Sequence, residues 1–254
     1  MKRFRLPLLL AALFLVAPLV VSACSQVHIG RDWRTANRDS AGIAPDPATT
    51  PEAVIQVYGA RAFNWRGILA VHTWLATKPA GADRYTVHQV MGWRRGGGRS
   101  VVVSTEDLPD RRWYDAEPEL LLDVRGERAA RLIPRVEAAI AAYPHANEYT
   151  LWPGPNSNTF TAYVGRAVPG LELELPVTAI GKDYLPRGEL AGPAPSGGGL
   201  QLSLLGYGGL LLGPREGLEL NILGLVVGVD ASPPALKLPG LGRLGFVPDP
   251  ARAD

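Results

Sequence analysis

Proline and glycine interrupt this chain so often that long helices have little room to form: 23 prolines and 29 glycines are spread over 254 residues. Proline removes a backbone donor and glycine adds backbone freedom, so both punctuate regular structure. The sequence therefore predicts short strands, few helices and many turns. A hydrophobic share of 46% against 20% charged residues is that of a globular protein with a real core.

The first 23 residues stand apart. Lys2, Arg3 and Arg5 precede an uncharged apolar run from Leu6 to Val21, and Ser22-Ala23-Cys24 follows. A basic start, a short apolar stretch and small residues before a cut form a secretory signal. Val21-Ser22-Ala23-Cys24 also fits the bacterial lipobox, in which the cysteine is lipidated and becomes the new N-terminus. An uncleaved anchor is the alternative, because Leu6 to Ala23 is 18 residues, nearly enough to span a bilayer. Both readings place the rest in the periplasm or at the cell exterior, held at the membrane by its N-terminus. Cys24 is the single cysteine, which excludes an intrachain disulfide and a cysteine metal cluster. The net charge of +2 falls by the leader's three basic residues to −1. Nothing in that balance argues for nucleic acid, and no cofactor is implied.

Residues 24–50 are polar and read as an extended tether. An α+β core domain is predicted over 51–190, built on an antiparallel sheet. Its strands are Val54 to Tyr58, Gly67 to Lys78, Arg84 to Arg94 and Ser100 to Ser104. Turn chemistry at Lys78-Pro79-Ala80-Gly81 makes the second and third a hairpin. A helix is expected from about Leu132, because Pro134 suits a first turn, and Pro144 ends it. A short strand over Glu148 to Trp152 and a helix over Thr159 to Val168 complete the core. A Pro/Gly linker at 191–199 leads to residues 200–254, a β-hairpin extension and tail. Its strands, Leu200 to Leu212 and Gly217 to Val229, read as buried on both faces or laid against the main sheet. Contact with a membrane is the competing reading.

One constellation could carry chemistry. A turn centred near residue 80 pairs His72 with His88, so both imidazoles would stand on one sheet face; a one-residue slip separates them. Pro153-Gly154-Pro155-Asn156-Ser157-Asn158 runs into a helix start, where free N–H groups could hold an oxyanion. Ser157 would be the nucleophile, His72 its base and His88 the orienting group, supported by Asn156 and Asn158. The structural alternative is as direct: Asn and Ser are favoured caps, and both asparagines could hold the loop by Asx-turns. A metal site from His72 and His88 lacks a third ligand.

The runs Val71-His72-Thr73-Trp74-Leu75-Ala76-Thr77-Lys78 and Trp152-Pro153-Gly154-Pro155-Asn156-Ser157-Asn158-Thr159-Phe160 resemble the bacterial family domain of unknown function 3750, over roughly Asp32 to Val229. That resemblance implies no activity. The order His72, His88, Asn156-Ser157-Asn158-Thr159-Phe160 is also similar to circularly permuted papain-like proteins of the lecithin retinol acyltransferase kind. This second likeness implies a permuted papain-like fold and a nucleophile at position 157, where serine replaces that fold's cysteine. A hydroxyl ionises far less readily than a thiol. Three functions follow as expectations. One is a cell-envelope hydrolase or acyl/peptidyl transferase acting on lipid chains or cell-wall peptides. The second is a catalytically silent ligand- or partner-binding module. The third is an assembly protein docking through segment 200 to 229.

Overall fold

The computed structural model describes residue 20, residue 27 and residues 29–246. The leader apart from Val20, together with Cys24, lies outside the described residues. No helix among those described is long and apolar enough to cross a membrane.

The protein is α+β, with two antiparallel sheets. The first comprises β1 (Val54–Arg61), β2 (Val71–Lys78), β3 (Thr86–Val90), β4 (Val102–Glu106) and β5 (Glu119–Arg125), in the order β4-β3-β2-β1-β5. Two helices, α1 (Gly126–Ala141) and α2 (Ser157–Ala167), cover one of its faces. There Ile55, Val57, Leu75 and Leu122 meet Leu132, Val136 and Phe160. On the opposite face Val54, Tyr58, Trp74, Ala76 and Val87 form a second core. β1 is thus buried on both faces, and its buried Gln56 accepts from Tyr58 Oη at 2.7 Å.

Several elements differ from the sequence reading. α1 begins at Gly126 and carries Pro134 in its interior. The helix tolerates this because Pro134 lies on the exposed stripe, as does Ala130, whose carbonyl loses its amide partner and can turn to water. The buried stripe of Ala129, Leu132, Ile133, Val136 and Ala139 holds the helix in place. Residues 148–152 form no strand, and Thr150 N–H donates instead to Pro155 O at 2.8 Å, closing a loop. Strand β5 follows directly into α1 and has no counterpart in the sequence reading.

The stretch expected as a tether is folded down from about residue 37. Buried Asp110 accepts from Ser40 Oγ at 2.8 Å and from the Ile43 amide at 2.8 Å. Tyr85 Oη donates to Pro45 O at 3.0 Å, and Lys78 Nζ to Thr50 O at 2.7 Å. A polar sequence becomes ordered here because one internal carboxylate satisfies several of its donors.

Residues 191–245 make a second sheet, more than the single hairpin expected. Its strands are β6 (Ala191–Gly192), β7 (Leu200–Ser203), β8 (Gly208–Gly213), β9 (Gly217–Ile222), β10 (Leu225–Ala231), β11 (Pro234–Leu238) and β12 (Gly242–Gly245), each paired to the next. Alternation sends one set of side chains inward: Gln201, Ser203, Glu219, Asn221, Asp230 and Lys237 are all buried. Glu219 pairs with Lys182 and with Lys237 (3.0 Å). Lys237 also reaches Glu174 at 2.8 Å and Asp230 at 3.3 Å. Burial works against the Lys237 charge, but Glu219 and Glu174 outweigh it and raise the ammonium above its usual range. Asp183 binds Gln201 and Asn221. The second sheet is therefore fastened to the 171–184 segment through charges and amides.

Breaking a buried ion network leaves charges unpaired, which typically costs about 3–5 kcal/mol. Glu219→Gln strips a counter-charge from two buried lysines. Denaturant unfolding should show a midpoint loss of that order, whereas a Leu218→Ala change on the exposed side should cost far less.

Candidate functional site

Ser157 opens α2 as its first helical residue, with Asn156 as N-cap. Asn156 Oδ1 accepts from the amides of Asn158 (2.9 Å) and Thr159 (3.2 Å), and Thr159 Oγ1 accepts from the Asn156 amide (3.1 Å). That is a reciprocal capping box. Asn156 Nδ2 donates to Leu151 O and Ile180 O, both at 3.0 Å. Asn158 Nδ2 donates to Val71 O (3.0 Å) and Ile180 O (2.8 Å), while its Oδ1 accepts from Thr73 Oγ1 (2.9 Å). Thr159 Oγ1 donates to Gly181 O at 2.8 Å. The motif ties α2, β2 and the loop at 178–181 into one knot.

This usage bears on catalysis. Of the amides at the helix start, those of Asn158 and Thr159 are bound by the cap and that of Phe160 by Asn156 O, while that of Ser157 has no hydrogen-bond partner among the described residues. Asn156 and Asn158 spend their side chains on backbone carbonyls and on Thr73. Both residues act as fasteners, Asn156 by an Asx-turn to the Asn158 amide and Asn158 by long-range bonds to β2 and Ile180 in place of the Asx-turn expected for it.

The two imidazoles do not stand together. β2 and β3 pair as Leu75↔His88 and Thr77↔Thr86. This register is displaced by three residues, an odd number, from the pairing of 72 with 88, so the faces invert. His88 lies on the helix-covered face, with Nε2 3.0 Å from Thr77 Oγ1 and Nδ1 2.8 Å from Ser104 Oγ. Neither nitrogen is left for Ser157. His72 points the other way, into the second core, stacked on Trp113 at 3.7 Å and 10°. Thr73, its neighbour on β2, is the residue that meets α2. The triad of Ser157, His72 and His88 is therefore not assembled, and the catalytic geometry implied by the papain-like likeness is not met.

His145 is the imidazole that borders α2. Its ring meets Tyr143 edge-on, and Tyr143 meets Phe160 in the same way at 5.2 Å. Nδ1 lies 3.0 Å from Glu148 Oε2, and Nε2 is buried with no hydrogen-bond partner among the described residues. Tyr143 and Glu148 are near neighbours in the chain, and only Tyr184, edge-on to the His145 ring at 5.7 Å, comes from a distant segment.

What the geometry does collect lies on the opposite sheet face. Trp93, Trp113, His72, Trp74 and Tyr58 form a continuous series of stacked rings, running from exposed Trp93 to fully buried Tyr58. Beside it is a cavity of about 70 Å³ walled by Trp74, Gln89, Trp113, Tyr114 and Arg38. Arg38 lies over the Tyr114 ring at 4.5 Å and has no carboxylate partner among the described residues. A wider cleft of about 610 Å³ shares Asp107 and Leu108 with this cavity. Burial lowers the pKa of His72 to about 3 and that of His88 to about 4, from an ordinary value of 6.5. Both rings are neutral at neutral pH. The sequence carried one sign of this cluster, the density of Trp and Tyr at 93, 113 and 114.

The family described as Protein of unknown function (DUF3750) aligns with residues 52–184, a shorter span than Asp32 to Val229. It covers the first sheet, both helices and the Asn156 knot, and it stops before the second sheet. No curated protein and no solved structure matches the chain.

The depressed imidazoles have a measurable consequence. Below pH 6.5 the unfolded chain takes up protons that the folded chain refuses, so stability falls as pH drops from 6.5 towards 4. Each histidine adds about 1.4 kcal/mol per pH unit to that slope. His88→Gln should flatten the dependence of unfolding free energy on pH across this window; an unchanged slope would show that His88 is not held neutral.

Proposed function

The chain belongs to the DUF3750 family, and on that footing we propose that it is a membrane-tethered binding module of the cell envelope, without hydrolytic chemistry at Ser157. The observation that carries this reading is the inverted parity of β2, which turns His72 away from α2 and His88 towards Thr77 and Ser104. Nor does the Ser157 hydroxyl bond to His145, whose Nε2 has no hydrogen-bond partner among the described residues, and a serine not bonded to a base is a poor nucleophile. The tether is the N-terminal signal with Cys24, as lipoprotein or as uncleaved anchor.

The binding site is the aromatic cavity beside His72. The stack takes up the faces of Trp74 and Trp113, so their edges give the cavity an apolar lining, and the Arg38 guanidinium favours a carboxylate. Gln89 supplies an amide that fixes orientation. Cell-wall fragments carry acidic peptides, and a cavity of about 70 Å³ admits a carboxylate-bearing end of one rather than a sugar ring. His72 backs Trp113 and Trp74 and positions their rings.

Soluble muropeptides titrated against the protein, followed by tryptophan fluorescence, test the proposal. Arg38→Ala, at the cavity edge, should weaken binding about tenfold, roughly the loss of one charge-assisted contact. Ser157→Ala should bind as the parent does. Labelling of Ser157 by a fluorophosphonate probe, or muropeptide binding indifferent to Arg38, would overturn it.

A further inference from the structure

The second sheet is built inside out. Its buried face carries Glu219, Lys237, Asp230, Asn221 and Gln201, and its outward face is aliphatic. Cross-strand pairing aligns Leu200, Leu212, Leu218, Val229, Leu236 and Leu244 in one row across six strands. Their exposures run from 42% at Leu236 to 60% at Leu212. A second row sets Leu202, Leu210 and Leu220 side by side, and no charged residue enters either row. Together they leave roughly 700 Å² of apolar surface bare, above the largest patch on a typical monomer, about 300–600 Å².

From this face we infer a lipid-docking surface: the outward side of the second sheet lies against the bilayer that holds the N-terminus. The inference rests on the tethered reading above. The position of Val27 supports it. Val27 lies beside Gly67, within 3.5 Å of a Cβ placed there. Arg61 Nη1 donates both to Gly67 O (3.3 Å) and to Gly240 O (2.7 Å), in the turn between β11 and β12. Cys24 is three residues before Val27, a reach of about 10 Å. An acyl chain on Cys24, or the end of an anchor there, would bring the bilayer to the flank of the second sheet.

The chemistry of the face agrees. Sheet hydrogen bonds are satisfied between strands, so presenting the flat of a sheet to hydrocarbon strands no backbone group. Protein interfaces are enriched in Tyr, Trp, Arg and Met with interspersed hydrogen bonds, whereas these rows hold only Leu and Val. At one end Trp152 and Tyr207 pack edge to face at 4.9 Å, both half exposed, and Trp152 Nε1 donates to Leu223 O. Amphipathic rings at the border of an aliphatic face suit the headgroup level.

The test is a photo-crosslinking residue at Leu220 in the full chain, reconstituted in phosphatidylethanolamine/phosphatidylglycerol vesicles, with the same residue at exposed Arg131 on α1 as control. A lipid adduct at 220 and none at 131 is expected, and Leu218→Asp should abolish it. Chain-to-chain adducts at 220 in place of lipid adducts would overturn docking in favour of a second copy. Vesicle-bound chain with no adduct at 220 would also overturn docking while leaving the tether intact. A lipid adduct from chain that carbonate washing strips from the vesicles would uphold docking and refute the tether instead.

Discussion

Everything around the first sheet turns on β2, whose alternating side chains serve two environments. Thr73, Leu75 and Thr77 face the helices, where Thr73 joins Asn158 and Thr161 of α2. His72, Trp74 and Ala76 face the second core and its ring stack. Because a strand has a side-chain period of two, its pairing with β3 decides which residues share a surface. The Leu75↔His88 register assigns the two histidines to opposite faces, and with them any chemistry they could share with Ser157.

The Asn156 to Thr159 motif gains its meaning from that strand. A helix start with free amides is a ready anion site, but here the cap takes the amides of Asn158 and Thr159 and leaves only that of Ser157, while Val71 O, Ile180 O and Gly181 O hold the Asn158 and Thr159 side chains. Gly181 is where the fit is tightest: with φ +101°, any Cβ there would fall 2.3 Å from Asn156 Nδ2. α2 is held between β2 on one side and the second sheet on the other, where Arg166 bonds Lys182 O at 2.8 Å and Gln201. The same helix thus organises both halves. The second sheet can afford a polar inner face because Lys182, Asp183 and Glu174 supply matching charges, which leaves its leucines facing out.

Strand content, the α+β class and the start of α2 were readable from composition and turn residues. Register was not, since the turn at 79–85 is long enough to close in more than one way, and an odd offset reverses the faces. Pro134 misplaced the start of α1 because proline in a helix is costly unless its turn is exposed, and exposure is a tertiary property. The polar stretch at 37–50 looked like a tether because the carboxylate that orders it, Asp110, lies about seventy residues away. Leu- and Gly-rich strands after residue 200 suggested burial on both faces; only the buried lysines and glutamates, once paired, reveal which side is inward.

The separation of Ser157 from both histidines can be read in solution from the ¹⁵N spectrum of the histidine rings. Ser157→Ala should leave the ring nitrogens of His72 and His88 unmoved, while Ser104→Ala should shift His88. A displacement of the His72 or His88 signals on loss of the Ser157 hydroxyl would contradict the account and restore a catalytic contact.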